Sequence, residues 1–162
     1  MPRTRRSGLL PDATAIASLL ERAGIVGAEL SSEGGPGLVV RVERAQAGAV
    51  VQGLKDSDHA FVFLVDLFGI DTGEHVDIVY HLRSIARDEE LFVKVAHEYG
   101  SDLASVWETH PAALMPERET AEMFGLTLSG HPNPKHLLLT SGSAPMLLKS
   151  VEIRTAEEVR NR

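Results

Sequence analysis

The chain has 162 residues, of which 43% are hydrophobic and 24% charged, a composition typical of one soluble globular domain. Its formal net charge of −7 argues against electrostatic binding to nucleic acid or to an acidic membrane surface. Cysteine is absent, so the chain has no thiolate for an iron–sulfur cluster, no disulfide and no thiol nucleophile.

The first third of the chain is predicted to contain two helices and a hairpin. Asp12 can cap a helix over 13–23, because apolar residues recur there three and four apart. Strands are predicted at 26–30 and 38–44, followed by a weaker helix at 46–55. The Gly-rich loop between the strands lacks the Gly-Lys-Ser/Thr ending of a phosphate-binding loop, which favours a plain turn.

Three β-rich runs follow at 61–70, 75–85 and 91–97, and short polar turns join them into a predicted antiparallel meander. The first run is the longest apolar stretch, well short of the roughly 20 residues that a membrane-spanning helix needs. In the second run, alternation places one set of side chains inward, namely Val76, Ile78, Tyr80 and Leu82. Asp66 and Arg83 allow either a buried ion pair or an unpaired carboxylate at the strand end.

A short helical piece is predicted at 102–107, with Asp102 as its cap, before a better defined helix. Pro116 suits the first position of that second helix, and Gly125 suits the left-handed residue that ends it. Thr120, Met123 and Phe124 would form its apolar face.

The segment 126–139 is predicted to present a docking surface. It begins with a brief extended piece at 126–129 and continues through Gly130-His131-Pro132-Asn133-Pro134, where two prolines restrict the backbone. Lys135 and His136 follow with charge and hydrogen-bond donors, and the leucines at 137–139 are expected to act as an apolar anchor.

Two groups of titratable residues invite a chemical interpretation. Glu117, Glu119 and Glu122 have the composition of an acid–base cluster, but acids in the first helical turn plus an exposed acid one turn on are the commoner pattern. A third interpretation pairs Arg118 and Glu119 with charges on a neighbouring subunit. No third metal ligand accompanies His131 and His136, which favours free surface imidazoles or an imidazole hydrogen-bonded to a partner.

Three further histidines lie on or beside the predicted strands. His75 and His97 are expected at exposed strand edges, and His81 at an exposed or interface position.

The chain resembles the C-type (thirty-kilodalton) subunit of NADH-quinone oxidoreductase, which is respiratory complex I, and the related subunit of membrane-bound, energy-converting NiFe hydrogenases. The family pattern has Glu-Arg-Glu, a later acid, two apolar residues, a His, a cation and an apolar pair. The matching positions are Glu117-Arg118-Glu119, Glu122, Met123-Phe124, His131, Lys135 and Leu137-Leu138.

A second block also resembles the family, because an apolar strand ending in Asp66 is followed by Val79-Tyr80-His81-Leu82-Arg83-Ser84. The tail departs from the pattern. Members of complex I usually carry an Asp-Trp pair and a Pro-Leu-Arg-Lys-Asp run, whereas this chain has Thr140-Ser141-Gly142 and Pro145-Met146-Leu147-Leu148-Lys149. The Gly-His-Pro-Asn-Pro-Lys sequence at 130–135 and the short chain resemble the hydrogenase-type branch slightly more.

The order of the elements predicts an α+β fold, with a mixed or antiparallel sheet of about five strands, helices packed on one face of it and an extended C-terminal segment. We expect one domain, organised as a sheet region at 1–100, a helix and docking segment at 101–140 and an extension at 141–162.

The resemblance implies a subunit without cofactors of its own in the cytoplasmic arm of a membrane-bound redox complex. It would hold the large quinone-site or nickel–iron subunit against iron–sulfur subunits, with flavin and NADH or nickel–iron bound by partners. The residues expected to make or brace these contacts are Glu117, Arg118, Glu119, Glu122, His131 and Lys135. A stand-alone binding module and a small enzyme using the Glu/His cluster are the alternatives.

Overall fold

The computed structural model describes residues 10–32 and 37–151. The helices are α1 (Ala13–Arg22), α2 (Ala47–Asp56) and α3 (Leu114–Phe124), and single 3-10 turns, Arg44–Gln46 and Pro111–Ala113, precede α2 and α3. The strands are β1 (Glu29–Ser31), β2 (Leu38–Val42), β3 (Phe63–Asp71), β4 (Val76–Ser84), β5 (Glu89–His97), β6 (Asp102–Ala104) and β7 (Thr127–Ser129). Most of the predicted Gly-rich turn and the end of the predicted extension, residues 33–36 and 152–162, lie outside the described residues.

Five strands form a mixed sheet in the order β1-β2-β5-β4-β3. The predicted hairpin is confirmed as the antiparallel pair β1–β2, and the predicted meander as β3–β4–β5. Strand β2 runs parallel to β5 and so connects the hairpin to the meander. The predicted α+β class and five-stranded mixed sheet are therefore confirmed.

The helices pack on one face of this sheet. The predicted inward residues of β4 are at most 1% exposed and share a core with residues of all three helices, including Ile16, Val50 and Phe124. The predicted cap is also confirmed, since the Asp12 side chain accepts the Thr14 N–H at 2.9 Å. Phe124 lies so close to β3 that a Cβ on Gly69 would be 2.5 Å from its ring. A larger residue at position 69 would require the Phe124 ring to move.

The opposite face of the sheet carries ion pairs. Asp77 is 3% exposed because three cationic or imidazole side chains surround its carboxylate, with Lys94 Nζ at 2.6 Å, His75 Nε2 at 3.1 Å and Arg41 Nη1 at 3.5 Å. Burying a carboxylate is tolerable when it is paired in this way.

Arg83 lies on the same face and bonds Glu90 at 2.6 Å and Asp88 at 2.5 Å. Asp66 instead accepts the N–H of Leu67 at 2.8 Å. Of the two alternatives that the sequence left open, the Asp66–Arg83 ion pair does not form, and Asp66 makes no ion pair with another described residue.

The prediction of a short helix at 102–107 is also wrong. Residues Asp102–Ala104 form β6, which pairs in parallel with β7 and aligns Leu103 with Leu128. Leu103 is 1% exposed, so its burial against this non-local partner outweighs the local capping preference of Asp102.

The described part of the tail, 141–151, crosses the C-terminal end of α3 without regular secondary structure. The N–H of Leu147 donates to the Met123 carbonyl at 3.0 Å, and the N–H of Lys149 to Asp71 at 2.6 Å. None of the helices in the described residues is long and apolar enough to cross a membrane.

Candidate functional site

The residues singled out from the sequence come together on α3 and the segment 130–139. Helix α3 begins at Leu114, directly after the 3-10 turn, and not at Pro116 as predicted. Pro116 still lies within the first turn, where a missing N–H removes no intrahelical bond. Gly125 ends the helix at φ 70°, which confirms the predicted left-handed residue.

Glu117 lies in the first turn of α3 and is fully buried. Its carboxylate accepts the Val106 N–H at 2.7 Å and the Ser105 hydroxyl, so it fastens the turn after β6 to the helix. Burial raises the pKa of Glu117, and this effect exceeds the lowering by the hydrogen bonds and by His131. The prediction that Glu117 is a first-turn acid is therefore confirmed, and the structure adds that it is buried.

His131 is buried, so the expectation of a surface imidazole is wrong for this residue. Its Nε2 lies 2.9 Å from the Leu114 carbonyl, and its Nδ1 lies 2.9 Å from the N–H of Asn133. These partners assign the proton to Nε2, since the carbonyl can only accept and the amide can only donate. Nε2 is also 3.9 Å from the Glu117 carboxylate.

Arg118 ties α3 to the loop after the two prolines. Its Nε donates to the Lys135 carbonyl at 2.7 Å and its Nη2 to the His136 carbonyl at 2.8 Å. The planar guanidinium matches two neighbouring acceptors in a way that an ammonium cannot. Trp107 makes a similar tie through its indole N–H, 3.0 Å from the Gly130 carbonyl.

Glu122 holds the next part of the same loop. Its carboxylate accepts the N–H groups of Leu137 at 2.9 Å, Leu138 at 2.8 Å and Leu139 at 3.3 Å, and His136 Nδ1 is 3.4 Å away. Burial raises the pKa of Glu122, but the hydrogen bonds and His136 more than offset this and leave the pKa below its ordinary value. Glu122 is buried, which corrects the expectation of an exposed acid.

The remaining predicted site residues, Glu119 and Lys135, have exposed side chains, and so has His136, as expected. Neither Glu119 nor Lys135 forms an ion pair with another described residue. The six predicted residues thus divide into four that fasten the loop or helix internally and two whose charges point outward.

Away from this site, the expectation of an exposed His97 is wrong, because its side chain is 1% exposed at the end of β5. Burial lowers the pKa of His97, and the nearby Arg44 adds to this. Among the described residues, no group of three His, Cys, Asp or Glu side chains is arranged to hold a metal ion.

Four exposed apolar residues that sequence reasoning missed lie on α3 and on the two segments hydrogen-bonded to it. Each of the four side chains is more than half exposed: Met115 56%, Leu138 62%, Met146 58% and Leu147 56%. Of the leucines at 137–139, which were expected to act as an apolar anchor, Leu138 is exposed. We call these four residues the apolar patch.

The chain belongs to the family described as the 30 Kd subunit of respiratory-chain NADH dehydrogenase, since the family model matches residues 40–155. This confirms the family that the sequence resembles.

Several proteins similar to this chain are subunits of NADH-quinone oxidoreductase. The chain is 36% identical over 101 residues to the C-type subunit of NADH-quinone oxidoreductase from Phenylobacterium zucineum, covering 59% of this chain and 48% of that protein. It is 37% identical over 112 residues to the C/D-type subunit of the same enzyme from Pectobacterium atrosepticum, covering 62% of this chain and 19% of that protein. The chain thus spans about half of the first relative and about a fifth of the second.

A solved structure shares the fold. A chain of the membrane-bound sulfane sulfur reductase, an archaeal respiratory membrane complex, superposes with a TM-score of 0.62 at 23% identity. The match covers 73% of this chain and 70% of that one.

Proposed function

We propose that this chain is a structural subunit of a membrane-bound respiratory redox complex of the NADH:quinone oxidoreductase type. It docks through α3 and the loop at 130–139 onto the large subunit and holds that subunit against iron–sulfur subunits. The reaction centres, flavin and NADH or metal clusters, belong to the partner subunits, and this chain reaches the cytoplasmic face of the membrane through them.

The observation that carries this proposal is the apolar patch on the outer side of α3. Met115 lies on the helix itself, 3.7 Å from the Arg118 guanidinium, while Leu138 and Leu147 are attached through their own N–H groups, to Glu122 and to Met123. Large apolar side chains held on an ordered main chain are characteristic anchors of protein–protein interfaces.

The charged residues of the family pattern make this surface rigid before any partner arrives. Arg118 and Glu122 together fix five successive residues of the loop, 135–139, by bonds to main-chain groups. A preordered loop loses little conformational entropy on association, which favours affinity without additional contacts.

Glu119 and Lys135 supply the charges that a partner would meet beside the apolar patch. Opposite charges on the partner would fix the register of docking and accelerate association, the usual contributions of rim charges. The predicted role of these two residues as interface charges is retained on this basis.

A second candidate is the same structural role in an energy-converting NiFe hydrogenase or a formate hydrogenlyase. The observation that favours it is the sequence of the tail, where Pro145-Met146-Leu147-Leu148-Lys149 carries one cation and the complex I pattern has two.

The test is affinity purification of the tagged full chain from its native membranes in mild detergent, with identification of every stoichiometric partner. Flavin- and NADH-binding subunits together with a large subunit lacking nickel-ligating cysteines support the first candidate. Nickel-ligating and ion-translocating subunits without an NADH-binding module support the second. Recovery of the chain alone, as a stand-alone module would behave, overturns both.

A further inference from the structure

A second surface, remote in the sequence from α3, is also left uncovered by the described part of the chain. Strand β3 is an edge of the five-stranded sheet, pairing with β4 on one side only in the described part of the chain. Its nine residues pair with no other described strand on the outer side, which leaves that edge open to a further strand. Within the strand, the Leu67 N–H already donates to the Asp66 carboxylate at 2.8 Å.

The two edges of the sheet differ in how they are protected. At the other edge, β1 has only three residues, Glu29–Ser31, and two of them are exposed polar residues. Short, polar edge strands resist pairing with other chains. Strand β3 has neither lysine nor proline, and its single bulge, between Leu64 and Asp66, leaves a regular run over 66–71.

The side chains on β3 are those of a contact surface. The exposed apolar residues of the strand are Phe63 at 49%, Val65 at 41%, Phe68 at 36% and Ile70 at 44%. Solvent-exposed edge strands that carry such residues on a stable protein are commonly completed by a strand from a partner.

Charge decides which partner fits. Asp66 is exposed in the middle of this surface, and its carboxylate forms no ion pair with any described cation. A second copy of β3 paired antiparallel about the strand centre would bring two Asp66 carboxylates close together, and each copy carries a net charge of −7. Self-pairing is therefore disfavoured.

We propose that β3 accepts an extended segment of another protein as an additional sheet strand over residues 66–71. The segment has apolar residues that pack against Phe68 and Ile70, and a Lys or Arg that faces Asp66. Main-chain hydrogen bonds would supply affinity, and the cation would fix the register. This inference rests on the proposed function only in requiring a partner protein.

The test compares hydrogen–deuterium exchange of the free full chain with that of the complex purified through it. We expect amides within 66–71 to exchange about tenfold more slowly in the complex, because the outer edge becomes hydrogen-bonded. A chain that assembles while these amides exchange at the same rate overturns the inference and leaves the proposed function standing. A chain that recovers no partner overturns both.

Substitutions make the test specific. Asp66→Lys and Phe68→Lys should each abolish the added protection of 66–71, whereas the control Val26→Lys, at a residue 77% exposed outside the sheet, should keep it. Circular dichroism of each free variant verifies folding. Equal protection in all three variants would contradict strand addition, as would a cross-link from a photoreactive residue at position 68 to a second copy of this chain.

Discussion

Two carboxylates on α3, five residues apart, behave in opposite ways. Glu117 is enclosed near the start of the helix, accepts one main-chain N–H and one hydroxyl, and has a raised pKa. Glu122 lies near its end, accepts three main-chain N–H groups beside His136, and has a lowered pKa. The difference follows from the deeper burial of Glu117, which favours the neutral acid, and from the three N–H donors that converge on the less deeply buried Glu122.

Glu117 and Glu122 also have different structural roles. Glu117 joins α3 to the turn after β6, inside the protein, whereas Glu122 holds the loop that displays Leu138 in the apolar patch. The first region should therefore control the stability of the whole domain, and the second the order of the proposed docking surface.

The largest effect is expected for Glu117→Ala. It leaves the buried Val106 N–H without an acceptor and opens a cavity, which should lower the free energy of unfolding by about 3 kcal/mol. Unfolding in urea measures this change in free energy. The matched control is Glu119→Ala on the exposed side of the same turn, expected to change the value by less than about 0.5 kcal/mol. Equal effects of the two substitutions would contradict the internal role of Glu117.

Glu122→Ala should lower the free energy of unfolding less, by about 2 kcal/mol. Three N–H groups lose their shared acceptor, but they lie near the surface and can form hydrogen bonds to water instead. The distinguishing result is local. Amide exchange at 137–139 should accelerate strongly in this variant and remain unchanged in Glu119→Ala. Slow exchange at 137–139 in Glu122→Ala would show that other contacts order the loop.

The pH dependence of stability should differ in sign between the two acids. The folded-state pKa of Glu117 lies above 4.5, so its contribution is fully present below that value and is lost as pH rises through the folded-state pKa. The folded-state pKa of Glu122 lies below 4.5, so its contribution is present above that value and is lost as pH falls through the folded-state pKa.

Glu117→Gln should therefore gain stability relative to the parent protein as pH rises from acidic to neutral. Glu122→Gln should approach the parent protein as pH falls. Chemical unfolding at a series of pH values measures both differences, and parallel curves for the two variants would refute the assigned pKa directions.

Arg118→Lys should lower the free energy of unfolding least, by about 0.5–1 kcal/mol. An ammonium group cannot donate to the Lys135 and His136 carbonyls at the same time in the way that the planar guanidinium does. Arg118→Gln serves as a comparison, since it also removes the charge. If amide exchange in the loop were as slow in Arg118→Lys as in the parent protein, the positive charge alone would explain how residue 118 holds the loop.

Much of the sheet could be predicted because the relevant patterns are local. Alternation on β4 identifies Val76, Ile78, Tyr80 and Leu82 as core residues, and short polar turns place β3, β4 and β5 in an antiparallel meander. The parallel pairing of β2 with β5 could not be predicted in the same way, because it joins residues about fifty positions apart.

The charged residues of the candidate site were predictable from the sequence, but their geometry and the apolar patch were not. The family pattern brings Glu117, Arg118, Glu122 and His131 to attention, yet a polar residue on a helix is ordinarily exposed. Burial of Glu117 depends on Ser105 and Val106, and burial of His131 on the Leu114 carbonyl. No periodicity encodes such non-local partners.

The most direct test of the docking surface is quantitative co-purification with a variant of the apolar patch. Leu138→Asn/Met146→Asn is compared with Leu10→Asn/Val26→Asn, which alters two exposed apolar residues elsewhere. We predict that the patch variant recovers at least about tenfold less of every partner subunit while its free form stays folded, because interface anchors dominate binding energy. Unchanged recovery with a folded patch variant would contradict docking through α3 and its loop.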